Sequence, residues 1–452
     1  MKKLYIGIIT VILVAFGACE TNFENPNAII EEQILTTPEG MIGSTVGITE
    51  HFATSTLLKI VEVTGLTTRE IGNTLTYMTP YELVMGGADL PTENTGTTAL
   101  WERLLRDKGL AERIIDNIDE VTFDAVTYEP EQKIGIKAYA KFMRAITIGY
   151  LAQSWEQIPL LNSDDGNAKF VDRNTALAEA INLLESAIAD VSATSGSAEY
   201  INDLVSDEFD FESVLNAFLA RYNLFAGNYT AAISAADNVD LTSPSVWTYD
   251  GSISWNPVYS FAVFDDPDTR PTDDFGLVGK EPEPGDGRIA FYLSSSPDVG
   301  IPDNCSWPVE DLAGFFTSAS DPIPVYLPGE MLLIKAEAYA RNNDLTNAVI
   351  YINLVRQKTN DIFGVNANLG AWAGNPASQS EILDEIYKNR CIELFFQGLR
   401  LEDHKRFYPN YIPDVYDPPY EGNCSVERNR NYYPYPYEEK FNNSNCPPDP
   451  SI

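Results

Sequence analysis

Histidine is almost missing from this 452-residue chain, which has only His51 and His404. A two-histidine metal helix and a Cys/His zinc cluster are therefore unavailable. Cysteine is also sparse, at five residues, and no C-x-x-C spacing occurs, which removes the zinc ribbon and the redox pair. Basic residues are few: 30 Lys plus Arg stand against 66 Asp plus Glu, a net charge of −36. Polyphosphates are repelled at long range by such a field, so nucleic acid is not an expected partner. There is no G-x-S-x-G elbow, P-loop or G-x-G-x-x-G turn, so the usual nucleophile, nucleotide and dinucleotide readings have no support. Beyond the N-terminus, no run reaches the roughly 18 apolar residues that a membrane span needs.

What is present starts with an address. Lys2 and Lys3 precede the apolar run "LYIGIITVILVAFGA", too short for a spanning helix and suited to a secretory signal. It ends in Gly17 and Ala18 just before Cys19, which resembles a bacterial lipobox, in which the Cys is lipidated and becomes the first mature residue. The expected division is a lipoprotein signal peptide over 1–18 and a body over 19–452, held to a membrane by the lipid. An exported protein can keep disulfides, and Cys424 with Cys446 in the Pro- and Asn-rich tail is the expected pair. Cys391 lies in a helical pattern and reads as a buried thiol.

Helical periodicity dominates the body. Residues 42–65, 98–120, 131–153, 174–191, 209–226, 229–239, 328–342, 344–358 and 380–397 carry apolar residues three and four apart. In "LARYNLFAGNYTAAISAADNV", Ala220 and Ala232 flank a Gly-Asn turn. In "KAEAYARNNDLTNAVIYINLV", Ala336 and Ala348 flank Asn-Asn-Asp. Small residues so placed let antiparallel helices approach closely, as in a tetratricopeptide unit. The 131–153 and 174–191 helices, and the 42–65 and 98–120 helices, read as further units. The fold class is thus all-α, a tetratricopeptide-like superhelix of helical hairpins with long irregular insertions. The largest insertion, 240–327, contains Trp247, Tyr249, Trp255, Tyr259, Tyr292 and Trp307. Aromatic loops on a rigid helical frame describe a binding protein.

Two stretches invite a chemical reading. "FDDPDTRPTDDFG" has closely spaced carboxylates, with Asp266 and Asp268 as the calcium candidates, but Arg270 stands where the calcium-loop template takes Asp or Asn, and a solvated acidic loop is expected. "NRCIELFFQGLRLEDHKRF", Asn389 to Phe407, looks like an active site. As a helix it gathers Leu394 and Phe395 with Cys391 on one face, and Arg390 and Glu393 are expected to pair across one turn. Gly398 is expected to end the helix, and His404 to face solvent or an ion-pair partner. Neither a metal nor a cofactor nor a catalytic set is expected. A glycosidase would need only two carboxylates, which 66 acids cannot exclude by number.

Five stretches taken in order resemble the SusD/RagB family of outer-membrane nutrient-binding lipoproteins. They are "TALWERLLRDKGLAERIIDNI", "KAYAKFMRAITIGYLAQSWEQIPL", "YLPGEMLLIKAEAYARNNDLTNAVIYINLVRQKTN", "EIYKNRCIELFFQGLRLEDHKRF" and "NYYPYPYEEKFNN". The fourth carries the strongest signature, in Arg390, Glu393, Leu394, Gly398, Arg400, Asp403 and Arg406. The resemblance implies a superhelix of about four tetratricopeptide-like units and a lipid anchor in the outer membrane, at the cell surface. It also implies a partner TonB-dependent transporter of the SusC type, to which a captured oligosaccharide is delivered, and no enzymatic activity. If the ligand is a glycan, aromatic faces should stack on its C–H surfaces. The candidates are Tyr77, Tyr81, Trp247, Trp255 and Trp307, with Trp101 assigned to the core. The same scaffold binding peptides or another nutrient is the alternative reading, and a glycoside hydrolase a third.

Overall fold

The computed structural model describes residues 34–74, 77–85, 90–127, 129–163, 165–265, 267–277, 280–295, 308–408 and 431–450. The first helix, α1 (Pro38–His51), starts at the Thr37 cap, whose hydroxyl accepts from Gly40 N–H at 3.1 Å. It runs through a π-helical turn at Phe52–Thr56 into α2 (Leu57–Thr67). Short α3 (Met78–Met85) leads to the long helices α4 (Thr95–Ile118) and α5 (Pro130–Ser154). Next come α6 (Arg173–Ala193), α7 (Ser197–Val205), α8 (Phe211–Phe225) and α9 (Tyr229–Asp237). Side-chain caps fix several starts: Asn94 for α4, Asp172 for α6 and Asp210 for α8.

The insertion after α9 contains α10 (Pro257–Ala262) and α11 (Gly287–Tyr292). The chain then returns to long helices, α12 (Pro328–Arg341), α13 (Leu345–Arg356) and α14 (Gln379–Glu393), followed by α15 (Arg400–Phe407) and α16 (Tyr437–Asn442). The hairpins α5–α6, α8–α9 and α12–α13 pack as pairs and stack in series through α6–α8, α9–α12 and α13–α14. Ala220, Ala232, Ala336 and Ala348 are all fully buried at these seams, the close approach their size allows. The α1–α2 pair does touch α4, but α4 lies more extensively along α5.

Strands are short antiparallel pairs that staple insertions to the frame. Here β1 (Ile71–Asn73) pairs with β5 (Thr269–Pro271), β2 (Gln157–Pro159) with β3 (Phe170–Asp172), and β4 (Val246–Trp247) with β8 (Ile323–Pro324). The fourth pair joins β6 (Leu293–Ser294) to β7 (Asp311–Leu312).

The Asn389–Phe407 stretch is interior scaffold. The helix ends at Glu393, before Gly398, because Phe396 takes a positive φ of 59° and its N–H is captured by the Glu70 carboxylate at 3.1 Å. Arg390 and Glu393 do not pair with each other. Arg390 donates to Asp403 at 2.9 Å, whereas Glu393 receives Arg288 at 3.2 Å and also binds Lys358. Adjacent helices set these choices, since each side chain meets a partner on a different element. Burial pushes the Glu337 carboxyl up, but Arg406, Arg341 and Arg390 around it hold it at about 2. His404 does not face solvent: it is buried, edge-on to the Tyr387 ring at 5.6 Å. Cys391 is a buried free thiol, its pKa pushed up to about 12 by that burial.

Candidate ligand-binding site

One ribbon brings the early loop and the large insertion together. In the β1–β5 register Asn73 lies opposite Thr269, and Thr74 extends it by donating its N–H to Asp268 O at 2.6 Å and its hydroxyl to the same oxygen at 2.8 Å. Beyond Thr74 on one strand come Tyr77 and α3 with Tyr81, both exposed. Before Asp268 on the other come Phe264, Tyr259 and Trp255.

Those three rings form a cluster at the solvent edge. Trp255 meets Phe264 edge-on at 5.2 Å and Tyr259 at 6.2 Å, and Tyr259 lies 5.8 Å from Phe264. Phe264 is 46% exposed, while Trp255 and Tyr259 are half-buried. Rings that support one another and still reach water present an apolar surface of fixed shape.

The backbone beneath is firmly held. Asn256, fully buried, caps α10 by accepting from Val258 and Tyr259 N–H at 3.0 Å, while its amide donates to Phe315 O and Asp321 O at 2.9 and 2.8 Å. Upstream, the Asp250 carboxylate accepts from Ser252, Ile253 and Ser254 N–H groups at 2.7, 2.8 and 3.0 Å. Those donors, Ser252 and Ser254 first, hold its pKa at about 2. Gly251 takes φ +70°, which lets the turn close, and Ile253 at its tip is 94% exposed.

The interior signature region anchors this ribbon. Thr272, just past β5, donates its N–H to Glu70 O at 3.2 Å and its hydroxyl to Arg69 O at 2.9 Å. The Glu70 side chain binds Phe396 N–H, with Arg400 at 3.8 Å, and Arg400 donates to Phe275 O at 2.8 Å. Burial pushes the Glu70 pKa up to about 7 against the pull of Arg400.

Of the residues expected to meet ligand, the structure brings Tyr77, Tyr81 and Trp255 to surfaces joined by this ribbon. Trp247 is a correction. It is 3% exposed and packs between Phe52 at 5.7 Å and Phe209 at 5.9 Å, because β4 pairing turns it inward over the π-helical turn. Trp307, Cys19, Asp266 and Cys424 lie outside the described residues. Cys446 is half-buried, and Asp268 is engaged through its backbone oxygen. Among the described residues no group of three or more His, Cys, Asp or Glu is placed to hold a metal. Sequence reasoning noted Tyr259 only as a loop aromatic and passed over Phe264. The Asn-Pro start of α10, which sets Tyr259 beside Trp255, was the available signal.

Comparison with known proteins agrees with this architecture. The family model of the SusD family matches residues 316–447. A SusD homolog from Bacteroides thetaiotaomicron superposes with a TM-score of 0.67 at 13% identity, over 94% of this chain and 99% of that one. A SusD superfamily protein from the same organism gives 0.66 at 16% identity, over 91% and 99%. A SusD-like carbohydrate-binding protein from Bacteroides fragilis gives 0.65 at 15% identity, again over 91% and 99%. No curated protein matches this chain in sequence. The model of the SusD family thus matches residues 316–447, and the chain shares the fold of these SusD-like structures along about nine-tenths of its length.

Proposed function

We propose that this protein is a lipid-anchored outer-membrane lipoprotein that captures an oligosaccharide and passes it to a SusC-like TonB-dependent transporter, without enzymatic activity of its own. The observation that carries the reading is the Trp255–Tyr259–Phe264 cluster, held from below and reaching solvent, with Tyr77 and Tyr81 exposed in the segment that follows β1, Tyr81 on α3. Pyranose rings offer flat C–H faces to such a surface, and a preformed platform binds them with little ordering cost. The strongly acidic chain favours an uncharged glycan over an anionic one. The lipobox ending in Cys19 supports the anchor. Among the described residues no helix is long and apolar enough to cross a membrane.

The test is binding of the purified protein to starch, xylan, mannan, inulin and a casein digest, with reducing ends followed over time. Saturable binding to one neutral polysaccharide, no release of reducing ends, and at least tenfold weaker binding by Trp255→Ala at unchanged Tm are expected. Binding to the digest alone, or reducing ends accumulating with time, contradicts the proposal. Co-purification of the membrane-extracted protein with a β-barrel transporter tests the delivery step. Loss of [3H]palmitate labelling in Cys19→Ala tests the anchor.

A further inference from the structure

A second aromatic platform stands apart from the Trp255 cluster. On α16, Tyr437 and Phe441 are four residues apart and lie near-parallel, with ring centroids 6.0 Å apart and 15° between planes. They are 49% and 75% exposed, so the stack shows its outer surface to water. On the same short helix Asn442 donates to the Glu438 carboxylate at 3.2 Å, which places an amide and an acid beside the rings.

The opposite side of α16 is pinned. Trp101, buried in the core, donates its indole N–H to Glu439 at 3.2 Å, and Asn443 donates to Glu439 at 2.8 Å and to Ala168 O at 3.0 Å. Lys440 reaches Asp449 at 2.7 Å, and the same carboxylate accepts from Tyr435 N–H at 2.9 Å. Holding two apolar rings outward on so well-anchored a turn costs solvation and gains the fold nothing.

Its position connects it to the candidate site. Tyr437 donates its N–H to Thr92 O at 3.1 Å, and two residues on, Asn94 donates to Thr79 O at 3.2 Å and to the Glu82 carboxylate at 2.8 Å. Thr79 and Glu82 flank Tyr81 on α3. The 92–94 segment, part of a turn closed by Asn94 N–H donating to Pro91 O at 3.2 Å, therefore bridges α16 to α3. The contacts run in order from Tyr437 through Thr92 and Asn94 to Thr79 beside Tyr81, a succession of surfaces suited to several sugar units rather than one.

We infer that Tyr437 and Phe441 form an outlying sugar-stacking station, so that the protein takes an extended, neutral oligosaccharide lying along α3 toward the Trp255 cluster. This rests on the glycan-binding reading above. The experiment measures affinity of the detergent-solubilised full chain for whichever of starch, xylan, mannan or inulin binds, and for its two-, four- and six-unit oligomers. Wild type, Trp255→Ala, Phe441→Ser and the double variant Tyr437→Ala/Phe441→Ala are compared, with Tm recorded for each. The inference expects the double variant to lose about tenfold on the six-unit oligomer and polymer and less than twofold on the two-unit oligomer. Trp255→Ala is expected to lose on every length. Phe441→Ser, at the more exposed position, keeps the test valid should the double variant melt early. Equal affinity of the α16 variants and wild type for the six-unit oligomer overturns the station while leaving the glycan reading intact. Equal losses at all lengths in those variants overturn the extended path. Failure of all four polysaccharides to bind wild type overturns both.

Discussion

Glu70 concentrates the residue-scale physics. Its carboxyl is fully buried, and desolvation outweighs Arg400 in raising its pKa to about 7. A group whose folded pKa lies above its unfolded 4.5 contributes stability fully below that value and loses it as pH rises through 7. Glu70→Gln, which can still accept from Phe396 N–H, should match wild type in unfolding free energy at pH 4.5 and exceed it at pH 8 by on the order of 2–3 kcal/mol, with a correspondingly higher Tm. Thermal melts across that range check this, and a wild-type advantage at pH 8 would contradict it. The two tryptophans of the insertion give a second contrast. Trp247→Ala opens a cavity between Phe52 and Phe209 and should cost about 3–5 kcal/mol in denaturant unfolding. Trp255→Ala should cost less than that, because Trp255 is only partly buried and packs on Tyr259 and on Phe264, itself exposed, rather than in the core. Both stand in similar Ser- and Pro-containing loops. Only the pairing of β4 with β8 turns one inward, and strand pairing between residues 76 positions apart has no local sequence signal.

At the scale of elements, the long helices were legible because each buries one apolar face, and that periodicity survives without tertiary knowledge. All nine periodic segments appear as helix, with ends moved by a few residues where caps or turns decide. The small-residue seams were legible for the same reason. Ala348 is fully buried beside Leu333 and Ala336, so Ala348→Leu should overpack the α12–α13 hairpin by about 1–3 kcal/mol and lower Tm without touching the aromatic loops. Short elements were not legible. Helices α10, α11 and α16 have under two turns and no period to read, and they exist because Asn256 and Asp286 cap two of them and tertiary bonds pin the third. The partners of Arg390, Glu393 and His404 were likewise hidden, because each lies on another element. Composition announced aromatic loops; exposure, which separates Phe264 from Tyr249, required the fold.

For the molecule as a whole, the superhelix is the frame and the insertions carry the exposed aromatic cluster. The interior signature joins them through Glu70, Phe396, Arg400 and Phe275, and so holds the β1–β5 ribbon in place. A net charge of −36 makes the nature of the ligand testable by salt. Capture of a neutral glycan by stacking should be nearly independent of ionic strength, whereas capture of a cationic peptide should weaken steeply as the field is screened. The most direct measurement is calorimetric titration of the bound neutral polysaccharide into wild type and Trp255→Ala/Phe264→Ala at 50 and 500 mM salt. The account predicts saturable, salt-insensitive binding by wild type and at least a tenfold loss in a variant that melts at the wild-type temperature. Undiminished binding by that variant, or binding abolished by salt, would contradict it.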